Sequence, residues 1–132
     1  MRGDILKIVM ACKDVPLLQR CGETLFASRG YQFAFASRHF AEVVAPGAGK
    51  AAAMQTLSAR YHVKPCNTFA AGDGMTDLPL LQAAGYAFAP VDAAEPVRAA
   101  SDMQIPTCEE GGMAVAFDRA LQLMTSLSPT VR

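Results

Sequence analysis

The sequence predicts an α/β fold. From Lys50 onward, segments with helical periodicity alternate with short apolar segments, which is typical of a parallel sheet with helices on its faces. Before that point, a single helical segment stands among three strand-like segments. Pro46-Gly47-Ala48-Gly49 interrupts both patterns. We therefore expect two lobes with a boundary near Pro46.

The first lobe is predicted to have the order β-α-β-β. Residues 5–12 are largely apolar and suit a strand, and Asp14-Val15-Pro16 is typical of a helix start. Gly30 is the expected stop of that helix. Aromatic residues alternate with smaller or polar ones over residues 31–36, which indicates a strand, and a second strand is expected over residues 39–45.

The second lobe is predicted to begin with a helix over residues 50–61 and a strand over residues 67–71. Thr76 is the expected cap of the next helix, and Gly85 its stop. Further along, we expect strands over residues 86–89 and 102–105, a short helix over residues 94–100, and a terminal helix after Gly111-Gly112. The expected inward face of that terminal helix comprises Met113, Ala116, Phe117, Ala120 and Met124. The polar tail over residues 126–132 is expected to fray.

Composition narrows the class of protein. Of the 132 residues, 52% are hydrophobic and 18% charged, which is typical of a globular chain. Lys plus Arg and Asp plus Glu number 12 each, so no basic excess favours nucleic acid. The four cysteines show no CxxC spacing, which disfavours a zinc site. With no apolar run of membrane-spanning length and no signal-peptide pattern at the N-terminus, we expect a cytoplasmic protein with no membrane partner.

The main chemical feature is the segment Gly72-Asp73-Gly74-Met75-Thr76-Asp77, directly after a predicted strand. Its two glycines allow a sharp turn, and its carboxylates, four residues apart, can both lie over the strand's end. Ligands of open α/β sheets bind at the carboxyl ends of strands, and Mg²⁺ prefers carboxylate oxygens. A second interpretation is open. Asp77 could only complement a helix dipole while Asp73 bonds loop amides.

Lys50 is the second candidate, because it stands at the start of a predicted helix. A cation there opposes the helix dipole, so local stability does not explain it. A lysine that reaches a phosphate site would neutralise charge on the transferring group. Most lysines, however, are simply solvated surface residues.

Several segments occur here in a characteristic order. They are PGAGKAAAMQTLSARYHV, NTFAAGDGMTDLPLLQAAGYAFAPVDAAEPVRAASD and EEGGMAVAFDRAL. Together they resemble the C-terminal half of haloacid-dehalogenase-like phosphatases, most closely the Cof-type and sucrose-phosphatase-like branch. The resemblance covers about residues 40–125. It rests on a helix-opening Lys50, a GDxxND-type motif at residues 72–77, Ala84-Gly85, and the segment Glu110-Gly111-Gly112.

The resemblance implies a partial Rossmann-like core with a parallel sheet over residues 46–132, and a cap-domain remnant over residues 1–45. It further implies that Asp73 binds Mg²⁺ directly and that Asp77 binds it directly or through water. Lys50 would be catalytic, steadying the nucleophilic carboxylate and the phosphoryl oxygens. Gly72, Gly74 and Thr76 would bind phosphate or support the metal ligands, although Thr76 stands where this branch often has asparagine. The implied substrate is a small phosphorylated metabolite.

One family feature is missing from this chain. The nucleophile of the family comes from a DxDxT-type motif, and no Asp-x-Asp pair occurs here. We therefore expect a Mg²⁺-dependent phosphoric monoester hydrolase of which this chain is the C-terminal part, with little activity alone. The alternative is a non-catalytic binding or assembly module. In either case the sheet would expose an edge, which self-association or a rearrangement of the first lobe could cover. Arg38 and His39, in the predicted turn of the first lobe, are lesser candidates for substrate contact.

Overall fold

The computed structural model describes residues 5–127, which form two three-stranded sheets. The first is antiparallel, with the order β1-β3-β2. Its strands are β1 (Lys7–Ala11), β2 (Gln32–Ser37) and β3 (Phe40–Val44), and helix α1 (Val15–Leu25) packs on one face. The second sheet is parallel, with the order β4-β5-β6. It comprises β4 (Phe69–Ala71), β5 (Tyr86–Pro90) and β6 (Met103–Ile105).

Within residues 5–127, four helices accompany the parallel sheet. They are α2 (Lys50–Arg60), α3 (Leu78–Ala83), α4 (Glu95–Ala99) and α5 (Gly112–Leu127). The predicted α/β fold, with a parallel sheet and flanking helices, is therefore confirmed. The first part has the predicted order β-α-β-β, while its assignment as a separate cap-domain remnant ending at residue 45 stays a prediction.

Each face of the parallel sheet has its own apolar core. On one face, small side chains of β4 and β5, including Ala70 and Ala87, pack with Leu81 of α3 and Val97 of α4. On the other face, Phe88, Ile105 and Ala116 of α5 form a second cluster. Alternate residues of a strand point to opposite faces, so the period of two in β4 and β5 supplies both cores. This arrangement fixes the loop after β4 at the carboxyl-end edge of the sheet.

Helix α1 begins where the sequence predicts. The Asp14 carboxylate accepts a hydrogen bond from the Leu17 N–H at 3.0 Å, which satisfies one of the free donors of the first turn. The helix then packs closely on the antiparallel sheet at Gly22, because a Cβ there would lie 2.1 Å from the Phe33 ring. Its end differs from the prediction. The helix stops at Leu25, and Gly30, with φ of 81°, instead ends the following 3₁₀ turn Ala27–Arg29.

Two further predictions about helices are wrong. Thr76 does not cap α3. The cap position is Asp77, which makes no side-chain capping bond because its carboxylate is used elsewhere. The predicted inward face of α5 is only partly buried. Ala116 and Ala120 pack on the sheet, whereas Phe117 is 65% exposed. Of the predicted frayed tail, residues 128–132 lie outside the described residues, and Ser126 still belongs to α5.

Candidate functional site

The candidate site is the loop between β4 and α3. Strand β4 ends at Ala71, and α3 begins at Leu78. The Gly72 N–H donates to the Phe88 carbonyl of β5 at 3.2 Å, so the loop leaves the sheet at a fixed point. The Asp77 N–H then donates to the Gly74 carbonyl at 2.9 Å, which closes a turn around Met75 and Thr76. The loop is therefore held at both ends by backbone hydrogen bonds.

Asp77 is the buried member of the acidic pair, with only 6% of the residue exposed. One of its oxygens, Oδ1, forms an ion pair with Lys50 Nζ. The other, Oδ2, accepts the Gly74 N–H at 3.2 Å. A carboxylate this buried requires a compensating cation or donors, and Asp77 has both.

Asp73 is the open member of the pair. It is exposed, and within residues 5–127 its carboxylate has no hydrogen bond or ion pair, whereas its backbone carbonyl accepts the Ala94 N–H at 3.4 Å. That backbone bond ties the loop to the residue that precedes α4. The Asp73 carboxylate is therefore free to bind a ligand, while its main chain is anchored.

The two glycines of the motif have different structural roles. A Cβ on Gly72 would lie 2.4 Å from Asp77 Cβ and 2.8 Å from Asp77 Cγ, so only glycine allows the buried carboxylate to pack there. A Cβ on Gly74 would meet nothing closer than 3.7 Å, and this residue does not have a positive φ. Gly74 contributes its N–H to Asp77 rather than its lack of a side chain. The sequence suggested a sharp turn at both positions, but the requirement for glycine is specific to Gly72.

Lys50 reaches the site from the first turn of α2. Its side chain is 60% exposed, and its ammonium group binds Asp77 across the contact between α2 and α3. The ion pair with the buried Asp77 carboxylate thus offsets the electrostatic repulsion between Lys50 and the helix dipole. The structure brings together Lys50, Gly72, Gly74 and Asp77, with Asp73 in the same loop.

A cavity of about 500 Å³ lies beside these residues, between the antiparallel sheet and the start of α2. Its wall includes Lys50, Thr76 and three polar residues that the sequence did not single out. Those three are Lys7, Gln32 and Glu42, and Lys7 Nζ pairs with Glu42 Oε1 at 2.9 Å. They lie on different strands, so only the β1-β3-β2 pairing unites them. Arg38 and His39, in the β2–β3 turn, are not part of this wall.

The acidic pair is a small donor set for a metal ion. Across residues 5–127, no group of three or more His, Cys, Asp or Glu side chains is arranged to hold a metal. Two carboxylates nevertheless fit Mg²⁺, which is commonly held by one or two carboxylates with water and phosphate oxygens completing its octahedron. The residues present therefore fit Mg²⁺ as part of a ligand set.

The sequence matches the family described as haloacid dehalogenase-like hydrolases over residues 1–117. The chain belongs to this family. A curated relative, the 5-amino-6-(5-phospho-D-ribitylamino)uracil phosphatase YwtE of Bacillus subtilis, is 24% identical over 118 residues, which are 89% of this chain and 41% of YwtE. The resemblance to haloacid-dehalogenase-like proteins found in the sequence is thereby confirmed.

Solved structures of the same superfamily share the fold. A haloacid dehalogenase-like hydrolase from B. subtilis superposes with a TM-score of 0.77 at 22% identity, covering 86% of this chain and 41% of that protein. The phosphatase BT1666 from Bacteroides thetaiotaomicron gives a TM-score of 0.75 at 26% identity, covering 90% of this chain and 43% of BT1666. The chain therefore spans less than half the length of these family members. No helix within residues 5–127 has the length and apolar character needed to cross a bilayer.

Proposed function

We propose that this chain is the C-terminal part of a Mg²⁺-dependent phosphoric monoester hydrolase that acts on a small phosphorylated metabolite in the cytoplasm. The observation that carries the proposal is the ion pair between Lys50 and Asp77, in the same loop as the open carboxylate of Asp73. A cation and two carboxylates at the carboxyl end of a parallel strand suit the transfer of a phosphoryl group, which is catalysed by charge neutralisation and positioning.

In this proposal each side chain has a separate role. Asp73 and Asp77 hold Mg²⁺, which would neutralise charge on the phosphoryl oxygens when bound. Lys50 balances negative charge on the nucleophile and on the phosphoryl group. Gly72 allows Asp77 to pack under the loop, and Gly74 orients it through its N–H. Thr76, on the wall of the cavity, is available to contact the phosphate.

The nucleophile is absent from these 132 residues, since no Asp-x-Asp pair occurs. We therefore propose that the chain alone releases little or no phosphate. A strand that carries the missing aspartates has a suitable place to bind, because β4 is an edge strand. Residues 68 and 72 face β5, because the Tyr86 N–H donates to the Thr68 carbonyl and the Gly72 N–H donates to the Phe88 carbonyl. The backbone groups of successive strand residues point to opposite sides, so those of Phe69 and Ala71 point towards the free edge of β4.

A strand added at this edge would lie beside the candidate site. On one face of the parallel sheet, α3 lies over β4 and β5, α4 lies over β5, and α2 packs on α3. A strand added parallel to β4 would end next to the loop that carries Asp73, since parallel strands share a carboxyl-end edge.

The first test is metal binding by the isolated chain. Titration calorimetry with Mg²⁺ should detect weak binding, because two carboxylates are a small ligand set and Asp77 is already paired. Asp73→Ala should abolish the signal, while Asp118→Ala, which removes an exposed carboxylate on α5, should retain it. Tight binding that survives Asp73→Ala would contradict the site.

The missing nucleophile favours a second candidate, a non-catalytic binding or assembly module. In that case a second copy of the chain is the proposed cover for the free edge of β4. The two candidates differ when the chain is mixed with a polypeptide that supplies the family's DxDxT segment. Phosphatase activity that requires both polypeptides supports the hydrolase. A stable homodimer in sedimentation experiments that gains no activity supports the module.

A further inference from the structure

We infer that Lys50 acts as an internal cation that competes with the metal ion for Asp77, so that removal of its charge strengthens metal binding. This inference rests on the proposed Mg²⁺ site, and it adds a regulatory property that the site does not itself require. The expected effect is opposite to that of removing a residue that helps to hold the metal.

The competition follows from the way in which the Asp77 carboxylate is used. Oδ2 is held by the Gly74 N–H, and Oδ1 is held by Lys50 Nζ. Both oxygens of Asp77 therefore already have a partner, and the partner that carries a positive charge is Lys50. A metal ion that binds this carboxylate meets that charge.

Because Asp77 is buried, its ionised carboxylate needs a cation beside it whether or not a metal ion is bound. With 6% of the residue exposed, Asp77 loses most of its hydration, and a lone carboxylate in this position is costly. Lys50 supplies the compensating charge when no metal is bound. A metal ion supplies the same charge compensation, so the lysine is then no longer needed.

Lys50 can leave because most of its side chain is already in solvent. Its side chain is 60% exposed, compared with 9% for that of Asp77, and the four-carbon stem of lysine is flexible. Asp73 offers the entry point, since its carboxylate is open and unpaired within the described residues. A metal that first contacts Asp73 would displace Lys50 from Asp77 towards the adjoining cavity, whose wall includes Lys50. There the ammonium group could meet a phosphoryl oxygen.

Mg²⁺ titration calorimetry on the full chain tests the inference with three variants. Lys50→Met removes the competing charge, Lys50→Arg keeps it, and Lys64→Met makes the same charge change at an exposed lysine outside the site. We expect Lys50→Met to bind Mg²⁺ about tenfold or more tightly than the wild type, because a unit charge next to a dication is strongly repulsive. Lys50→Arg and Lys64→Met should bind with nearly wild-type affinity.

Thermal unfolding with and without Mg²⁺ gives a second measurement that does not depend on activity. Lys50→Met should unfold at a lower temperature than the wild type without metal, because Asp77 has lost its cation. Mg²⁺ should raise the unfolding temperature of Lys50→Met more than that of the wild type, since a ligand that binds the folded state more tightly stabilises it more. If the variant is unfolded without metal, Mg²⁺ should refold it.

The outcomes separate the inference from the proposed function. If the wild type binds Mg²⁺ through Asp73 and Lys50→Met binds no more tightly, the metal site stands and the competition is wrong. Weaker binding by Lys50→Met would make the lysine a helper of the metal and would also overturn the inference. If neither protein binds Mg²⁺, both the inference and the metal site are wrong. An equal gain in Lys64→Met would show a general charge effect and reject the specific role of Lys50.

Discussion

At the scale of single residues, the site depends on how closely the loop backbone can approach Asp77. Gly72 touches the buried carboxylate side chain, and Gly74 binds it through its N–H. Lys50 completes the set from a different helix. One buried side chain thus has contacts from both glycines of the motif and from α2, and its position is more sensitive to substitution than that of exposed Asp73.

Gly72→Ala should be strongly destabilising, while Gly74→Ala should be nearly neutral for folding. The new methyl group at residue 72 would lie 2.4 Å from Asp77 Cβ, so Asp77 must move. We expect a loss of about 1–3 kcal/mol in the free energy of unfolding, the usual cost of overpacking. At residue 74 the nearest atoms are at 3.7 Å, which is ordinary contact. Urea unfolding of both variants measures the difference, and equal stabilities would contradict the packing described here.

The candidate residues could be predicted from the sequence, but the different environments of the two carboxylates could not. Lys50, Asp73 and Asp77 were identifiable from residue type and order. That Asp77 is buried and paired while Asp73 is open depends on how α2 packs against α3, which no local pattern reveals. Thr76 looked like a cap because threonine favours that position, but in the structure the helix begins one residue later.

At the scale of elements, the segment before α5 shows how three adjacent residues set the start of a helix. Gly111 has a φ of 79°, and a Cβ on Gly112 would lie 1.9 Å from the Pro106 carbonyl oxygen. Glu110 closes the loop, because its carboxylate accepts the Thr107 hydroxyl at 2.9 Å and the Thr107 N–H at 3.1 Å. The Glu-Gly-Gly segment recognised in the sequence therefore has a direct structural reason.

This loop should give a small pH dependence of stability. The hydrogen bond from the Thr107 hydroxyl, and then that from its N–H, lower the pKa of Glu110 from the ordinary 4.5. A lowered pKa in the folded state means that the ionised carboxylate stabilises the fold at a pH above 4.5. That contribution is lost as the pH falls through the lower folded value.

In Glu110→Gln, the urea midpoint should therefore fall less on acidification than it does in the wild type. Near neutral pH the variant should lose only the stability that comes from the hydrogen bonds to the ionised carboxylate. Glu109→Gln is the control, since Glu109 is the exposed neighbour and its side chain makes no hydrogen bond within residues 5–127. A steeper loss of stability on acidification in Glu110→Gln than in the wild type would contradict the assignment.

Most helices and strands were predictable because the periodicity of a helix or a strand is a local property of the sequence. Asp14 caps α1 as its type suggests, and the period of two in β2 and β3 matches strands of one sheet. Burial was harder to predict. Phe117 repeats at helical spacing with Ala116 and Ala120, which pack on the sheet, and yet it is largely exposed. Helical periodicity shows which side chains share a face, not whether another element lies against it.

At the scale of the whole molecule, the candidate cavity lies between the antiparallel sheet, the start of α2 and the loop that leads into α3. The cavity beside Lys50 takes Lys7, Gln32 and Glu42 from the antiparallel sheet, so substrate contacts are expected from that sheet and chemistry from the parallel one. This cavity was not predictable from the sequence, since Lys7 and Glu42 are 35 positions apart and meet, with Gln32, only through strand pairing. The free edge of β4, by contrast, was expected from the missing Asp-x-Asp pair.

The central claim is that these residues form the metal-binding part of a phosphatase without its nucleophile. Phosphate release from a panel of sugar and polyol phosphates by the purified 132-residue chain, with and without Mg²⁺, tests it most directly. We expect no Mg²⁺-dependent release above the level of an Asp73→Ala preparation purified in the same way. Mg²⁺-dependent release by the wild type that disappears in Asp73→Ala would show that the chain has a complete active site and would contradict the claim.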